Sequence, residues 1–140
     1  SDNYFVHFNK QPGVADAILD EHTQQFLRNL FRKHTLLTPP EPGMLMINLA
    51  KAKDPQGEPL MSEQELAVFV TSFQSSGFTG SINWYRNLDR NGDRDLIPKP
   101  ERLSAFVPNV EEVSIDCGHW IQQEKPKETT QYILDWLSKN

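Results

Sequence analysis

The chain has very little cysteine, and no stretch of it is hydrophobic enough to form a membrane segment. Cys117 is the single cysteine among 140 residues, which excludes an internal disulfide and suits a reducing compartment. No apolar run approaches the roughly 20 residues that a bilayer-spanning helix needs. The residues from Ser1 onward also lack the charged and then apolar segments of a signal peptide. We therefore expect a cytoplasmic protein without a membrane partner.

Positive charge is also scarce. Lys and Arg total 14 against 19 Asp and Glu, which gives a net charge of −5, and the basic residues are interleaved with acidic ones. A nucleic-acid-binding surface needs clustered basic residues that neutralise phosphates. We therefore exclude nucleic acid as an expected partner. No motif indicates a metal site or a cofactor site, and we expect neither.

Apolar residues recur at helical spacing in several parts of the sequence. These parts are residues 14–34, residues 62–76, a segment from Ser81, a short segment through Leu103 and Phe106, and a final segment from Pro126. The signal is clearest at 62–76, where Ser62 and Glu65 form a capping box and Gly77 ends the pattern. Residues 38–59 are rich in proline and glycine, and they predict a surface excursion with one short apolar segment at 44–49.

Residues 110–115 alternate between apolar and polar side chains, which predicts a strand. A strand needs a neighbour to satisfy its backbone hydrogen bonds, and the rest of this sequence offers none. Either the strand completes a sheet with material outside this chain, or these residues are not a strand. We favour the first interpretation, so the chain is not expected to be a complete folding unit.

His119 follows this predicted strand in the sequence Asp116-Cys117-Gly118-His119-Trp120. Loops at the carboxyl ends of strands are where α/β folds place reactive groups, and a histidine can accept a proton near neutral pH. Asp95, rather than Asp93, is the candidate acid upstream of it that would orient the imidazole. The alternatives are a surface histidine and a solvated acidic turn.

Asn83-Trp84-Tyr85-Arg86-Asn87 is the most distinctive stretch of the sequence. A tyrosine hydroxyl in an apolar cleft is a neutral donor that can stabilise a developing alkoxide. Tyr85 is the first candidate for this role, and Tyr4 could supply a second donor. The alternative is that both are core aromatics with satisfied hydroxyls.

Together these segments resemble the epoxide hydrolases of the α/β-hydrolase fold. The resemblance rests on residues 76–87, on residues 116–120, on the helix from Lys125-Pro126 and on Gln11-Pro12-Gly13-Val14-Ala15. It implies an α/β-hydrolase fold with a helical cap, of which this chain holds only the cap, residues 1–91, and the C-terminal part of the core, residues 92–140. The implied substrates are a small apolar epoxide and water.

In that family an aspartate attacks an epoxide carbon while two cap tyrosines donate to the oxygen, and a histidine paired with an acid then activates water to hydrolyse the ester. By position, the resemblance assigns Tyr85 and Tyr4 as the tyrosines, with His7 as a substitute for Tyr4. It assigns His119 as the base and Asp95 as its acid. No Gly-x-Asp-x-Gly or Gly-x-Ser-x-Gly occurs, so we expect the nucleophile N-terminal to Ser1 and expect this chain alone to be inactive.

Asn91 runs directly into Gly92, although the family would place about twenty residues of helix end and buried strand here. We therefore expect that these two residues are not neighbours in the parent protein. Two other functions stay open at this point. One is a haloalkane or haloacid dehalogenase of the same fold, and the other is a non-catalytic interaction fragment built from the cap.

Overall fold

The computed structural model describes residues 4–33, 45–54, 57–87 and 110–139. The described residues form helices α1 (Tyr4–Lys10), α2 (Val14–Glu21), α3 (Thr23–Leu30), α4 (Leu45–Lys51), α5 (Glu63–Ser76), α6 (Thr79–Arg86), α7 (Ile121–Glu124) and α8 (Pro126–Lys139). None of these helices is long and apolar enough to cross a membrane.

Helix α5 begins and ends where its local sequence predicts. The Ser62 hydroxyl accepts a hydrogen bond from the Glu65 N–H at 3.3 Å, and the Glu65 carboxylate accepts one from the Ser62 N–H at 2.8 Å. Gly77 ends the helix with φ of 68°, a conformation that favours glycine. The helices predicted within residues 14–34, near Ser81 and from Pro126 are likewise confirmed.

The core lies between the first six helices. Helix α3 packs against α4 and α5, α2 packs against α4, and α1 packs against α6. The buried apolar side chains come from every one of these helices and from the segments beside them: Phe8, Ala15, Leu19, Phe26, Leu27, Phe31, Ile47, Ala50, Leu66, Phe78 and Ile82. Residues 4–87 therefore build one helical unit around a shared core, within the ranges given above.

Three helices were not predicted from the sequence: α1, α4 and the short α7. Helix α4 lies in the proline-rich segment, and it buries Ile47 and Ala50. Asn29, itself buried, donates hydrogen bonds to the carbonyls of Leu49 at 2.7 Å and Ala52 at 2.9 Å, at the end of α4 where carbonyls lack helical partners. Because these contacts come from α3, the propensity of the segment itself could not reveal the helix.

The strand predicted for residues 110–115 is not observed. These residues are not helical, and they pair with no other part of the described chain, in which the only β-bridge joins Arg32 and Pro59. Val113 is 55% exposed. The described residues therefore offer these positions no partner strand, and a strand is defined by its hydrogen bonds to a neighbour. That residues 110–115 pair with a strand outside this chain stays a prediction. The helix predicted near Leu103 and Phe106 lies outside the described residues.

Helix α8 carries the apolar side chains that its sequence predicts, Ile133, Trp136 and Leu137, but they are about half exposed. Tyr132 and Leu134 on the same helix are exposed to a similar extent. An apolar helical face normally packs against a core. The helix is therefore formed without a described element that covers this face.

Candidate functional site

A cavity of about 500 Å³ opens between the helices of the core. Most of its wall comes from helices α1, α3, α5 and α6. The loop at residues 116–120, here called the His119 loop, also contributes to the lining. The lining is mainly aromatic, with Phe8, Phe26, Phe31, Phe69, Phe73, Phe78 and Trp120. Its hydroxyl and imidazole groups belong to Tyr4, Ser81, Tyr85 and His119. Such a lining suits an uncharged, largely apolar ligand held by a few polar groups.

The two tyrosines are neighbours in this wall. Their ring centroids lie 5.8 Å apart at an interplanar angle of 75°. Phe8 contacts both rings, with centroid separations of 5.7 Å from Tyr4 and 5.9 Å from Tyr85. This edge-on contact across α1 and α6 places two phenol groups on one side of the cavity.

Burial raises the pKa of Tyr4 above its ordinary value of 10.0, and the neighbouring Tyr85 adds to the rise. Both causes disfavour the phenolate. Near neutral pH Tyr4 is therefore protonated and can donate a hydrogen bond to a ligand.

His119 lies on the loop before α7 and also lines the cavity. The Glu124 carboxylate accepts hydrogen bonds from the N–H groups of Gly118 at 2.9 Å and Trp120 at 3.2 Å, on either side of the histidine. The Trp120 ring packs against Phe31, with centroids 4.7 Å apart. These contacts fix the backbone of the His119 loop from both ends.

The structure thus brings Tyr4, Tyr85 and His119 to one cavity. Asp95 lies outside the described residues, as do Asn91 and Gly92. His7, the substitute for Tyr4, is not among the residues that line this cavity. In the ranges that the structure describes, no group of three or more His, Cys, Asp or Glu side chains could hold a metal ion.

Sequence reasoning missed the ion pair between Arg86 and Asp16. The guanidinium makes a bidentate contact with the Asp16 carboxylate: Nη1 donates to Oδ1 at 3.0 Å and Nη2 donates to Oδ2 at 2.5 Å. Asp16 is 6% exposed. The hydrogen bond from Arg86 holds the pKa of Asp16 below its ordinary value of 3.8. The two residues are 70 positions apart, so no local pattern could have paired them.

Glu124 was missed as well. It is the last residue of α7, and its carboxylate binds the loop that precedes this helix. The one clue in the sequence was its position, because an acidic side chain six residues after Gly118 can accept a hydrogen bond from the Gly118 N–H. Nothing in the sequence distinguished that use from an exposed helical glutamate.

Chemically, the cavity offers two phenol groups on one wall and an imidazole at the loop. Neutral donors in an apolar site stabilise a developing negative charge on oxygen more strongly than water does. An imidazole can take a proton from water near neutral pH. The arrangement therefore suits a reaction in which an oxygen becomes negative in one step and water is activated in another.

Comparison with known proteins identifies similar chains. No protein-family model matches the sequence. The chain is 30% identical to bifunctional epoxide hydrolase 2 of Rattus norvegicus over 168 positions, which cover 96% of this chain and 29% of the rat protein. It is 31% identical to epoxide hydrolase A of Mycobacterium tuberculosis over 169 positions, which cover 96% of the chain and 52% of that relative.

A solved structure agrees. The crystal structure of epoxide hydrolase A from Mycobacterium thermoresistibile superposes with a TM-score of 0.70 at 28% identity, and the match covers 99% of this chain and 53% of that one. The chain therefore spans about half the length, or less, of these relatives. The predicted resemblance, and the assignment of the chain to part of an α/β-hydrolase fold with a helical cap, are confirmed.

Proposed function

We propose that the parent protein of this chain hydrolyses an epoxide to a vicinal diol through an aspartyl ester. The chain itself is part of an epoxide hydrolase of the α/β-hydrolase fold. The observation that carries this proposal is the tyrosine pair: Tyr4 and Tyr85 lie 5.8 Å apart in an aromatic cavity that His119 also lines. In this proposal residues 1–91 are the cap and residues 92–140 are the C-terminal part of the core.

The first step is ring opening. A carboxylate of the parent protein attacks an epoxide carbon, the carbon–oxygen bond breaks, and negative charge develops on the epoxide oxygen. Tyr4 and Tyr85 donate hydrogen bonds to that oxygen, and one of them delivers the proton that makes the first hydroxyl. Because this negative charge develops only in the transition state, the two donors lower the barrier to ring opening and do not merely tighten substrate binding.

The second step is hydrolysis of the ester. His119, oriented by Asp95, takes one proton from water as the water attacks the ester carbonyl. The ester bond breaks, the departing alkoxide takes the other proton of that water, and the diol leaves as the carboxylate is restored. The proton on His119 then returns, through solvent, to the tyrosine that gave up its proton in the first step. The sequence of this chain contains no nucleophile-elbow motif. We therefore assign the attacking aspartate to another part of the parent protein, and we expect this chain alone to be inactive.

The cavity supports a small apolar epoxide as the substrate. Aromatic rings form most of the described wall, and none of the described lining residues is a lysine, an arginine or a carboxylate. A charged substrate would lose its hydration here without gaining an ionic partner. Water is the second substrate, and no cofactor enters either step. The one cysteine and its free thiol support a cytoplasmic location.

Dehalogenation is the nearest rival chemistry, and it is not favoured. A halide leaves without taking up a proton and needs weak donors around the ion, whereas paired phenols suit an oxygen that must be protonated. The named relatives are also epoxide hydrolases. A non-catalytic role for the parent protein has no observation in its favour.

Isotope labelling of the full-length gene product tests the proposal. Styrene oxide is incubated with excess enzyme in water enriched in ¹⁸O for a single turnover. The ester mechanism puts unlabelled enzyme oxygen into the diol and leaves ¹⁸O on one protein carboxyl group. Label in the first-turnover diol would contradict the ester mechanism. Absence of diol together with halide release from a chloroalkane would favour the dehalogenase.

A further inference from the structure

Arg86 lies at the junction of α1, α2 and α6, next to the tyrosine pair rather than in the cavity wall. Its guanidinium contacts the carboxylate of Asp16 on α2 and donates from Nε to the backbone carbonyl of Phe8 on α1 at 3.0 Å. A further bond, 2.9 Å long, joins it to Asn83 on its own helix. One planar side chain therefore connects all three helices.

The contact with Phe8 bears directly on Tyr4. Helix α1 has seven residues, and a helix of this length is not stable without tertiary contacts. The Phe8 carbonyl belongs to its last turn, where carbonyls lack helical partners and favour a cation. Tyr4 lies one turn before Phe8, and its ring packs on the Phe8 ring. A shift of Phe8 would therefore move Tyr4 relative to Tyr85.

Asp16 holds the guanidinium in this orientation. The bidentate contact uses both carboxylate oxygens, and the side chains of Arg86 and Asp16 are both largely buried. A bidentate contact fixes the plane of a guanidinium, whereas a single hydrogen bond does not. The Nε–H is thereby aimed at the Phe8 carbonyl.

We propose that Arg86 is a positioning residue for ring opening, which sets the separation of Tyr4 and Tyr85 by fixing α1 against α6, with Asp16 as its anchor. The inference rests on the proposed function, because it assigns Arg86 to the first of the two chemical steps. Arg86 touches neither the substrate nor the reacting atoms. Its removal acts through the tyrosines, and through Tyr4 in particular.

The experiment uses the full-length protein with Arg86→Met and Arg86→Lys. Single-turnover kinetics with styrene oxide measure ester formation and ester hydrolysis separately. We expect Arg86→Met to slow ester formation about tenfold, which corresponds to partial loss of one oxyanion donor, and to change ester hydrolysis less than about twofold. Arg86→Lys keeps the positive charge but cannot make the bidentate contact with Asp16. We therefore expect slow ring opening in this variant at a melting temperature close to that of the wild type.

Arg28→Met is the matched control. Arg28 pairs with Glu63 at 3.1 Å in an exposed ion pair away from the cavity, so its loss should leave both steps unchanged. A double-mutant cycle with Tyr4→Phe then tests the route of action. If Arg86 acts through Tyr4, Arg86→Met has little further effect once the Tyr4 hydroxyl is absent. Fully multiplicative losses, or equal slowing of both steps, would overturn the inference.

A structure of the Arg86→Met protein separates this inference from the proposed function. A Tyr4–Tyr85 centroid separation that stays at 5.8 Å overturns the positioning role, whatever the enzyme does. If the separation changes but the wild type makes no diol, the proposed function fails and the geometric role of Arg86 stands. Diol formation by the wild type together with a changed separation and slowed ring opening in the variant supports both.

Discussion

Tyr4 and Tyr85, 81 positions apart in the sequence, meet edge to face in the wall of one cavity, with their ring centroids 5.8 Å apart. Phe8 packs against both and holds them on the same side. Two phenols at this separation can approach a single oxygen atom from different directions. Substitutions in the full-length protein test this pairing.

Tyr85→Phe and Tyr4→Phe should each slow ring opening, by about a hundredfold as is usual for the loss of one general-acid or oxyanion donor. Stopped-flow measurement of ester formation checks this. The third tyrosine of the chain, Tyr132, is 48% exposed on α8 and does not line the cavity. Tyr132→Phe is therefore the matched control, and a comparable loss in that variant would refute the assignment of the pair.

His119→Gln should permit ester formation and block ester hydrolysis, because the imidazole acts on water in the second step only. Incubation with styrene oxide should leave a covalent adduct on the intact protein, and mass spectrometry measures its mass. Tyr85→Phe under the same conditions should show no build-up of adduct, since its slow step comes earlier. A histidine variant that turns over without adduct would remove His119 from this role.

Glu124→Ala should slow ester hydrolysis by about tenfold while ring opening stays near the wild-type rate. Removal of the carboxylate frees the Gly118 and Trp120 N–H groups and lets the His119 loop move, and misplacement of a catalytic group by about 1 Å can cost up to a hundredfold. Glu128→Ala is the control, because Glu128 is also on the C-terminal helices but makes only an exposed pair with Lys125. Equal effects of the two variants would count against the loop role.

Asp16 should make stability depend on pH in acid. Its folded-state pKa lies below the ordinary value of 3.8 because of the hydrogen bond from Arg86. The carboxylate therefore adds stability that is complete well above pH 3.8 and is lost as the pH falls below 3.8 through the folded pKa. Thermal melts between pH 7 and pH 3 should show a smaller acid-induced loss in Asp16→Asn, which is less stable at pH 7. Parallel profiles would contradict the pKa direction.

The 140-residue chain expressed alone should form no diol from styrene oxide above the buffer rate, even with Tyr4, Tyr85 and His119 intact. Proton donors and a base cannot generate the ester that the second step consumes. Gas chromatography of the reaction detects the diol. Turnover by the isolated chain would mean that a carboxylate within it attacks the epoxide.

The expected break between Asn91 and Gly92 stays a prediction. The alignments with the rat and mycobacterial relatives extend over 168 and 169 positions, more than the 140 residues of the chain. They therefore include positions of the relatives that have no counterpart here. This excess supports a missing segment, and sequencing of the parent transcript across these codons would identify it.

The sequence alone determined the features whose causes are local. Ser62, Glu65 and Gly77 set the two ends of α5, because capping groups act within about one helical turn. The residue types in Asn83-Trp84-Tyr85-Arg86-Asn87 and Gly118-His119-Trp120 were enough to indicate the family. Tertiary structure decided what depends on distant residues. Helices α1 and α4 form because other helices cover them. Residues 110–115 show the opposite situation, since they have the alternating pattern of a strand but no partner among the described residues. Only folding could bring Tyr4 to Tyr85 and Arg86 to Asp16, since a contact across 70 or more positions leaves no signal in either neighbourhood.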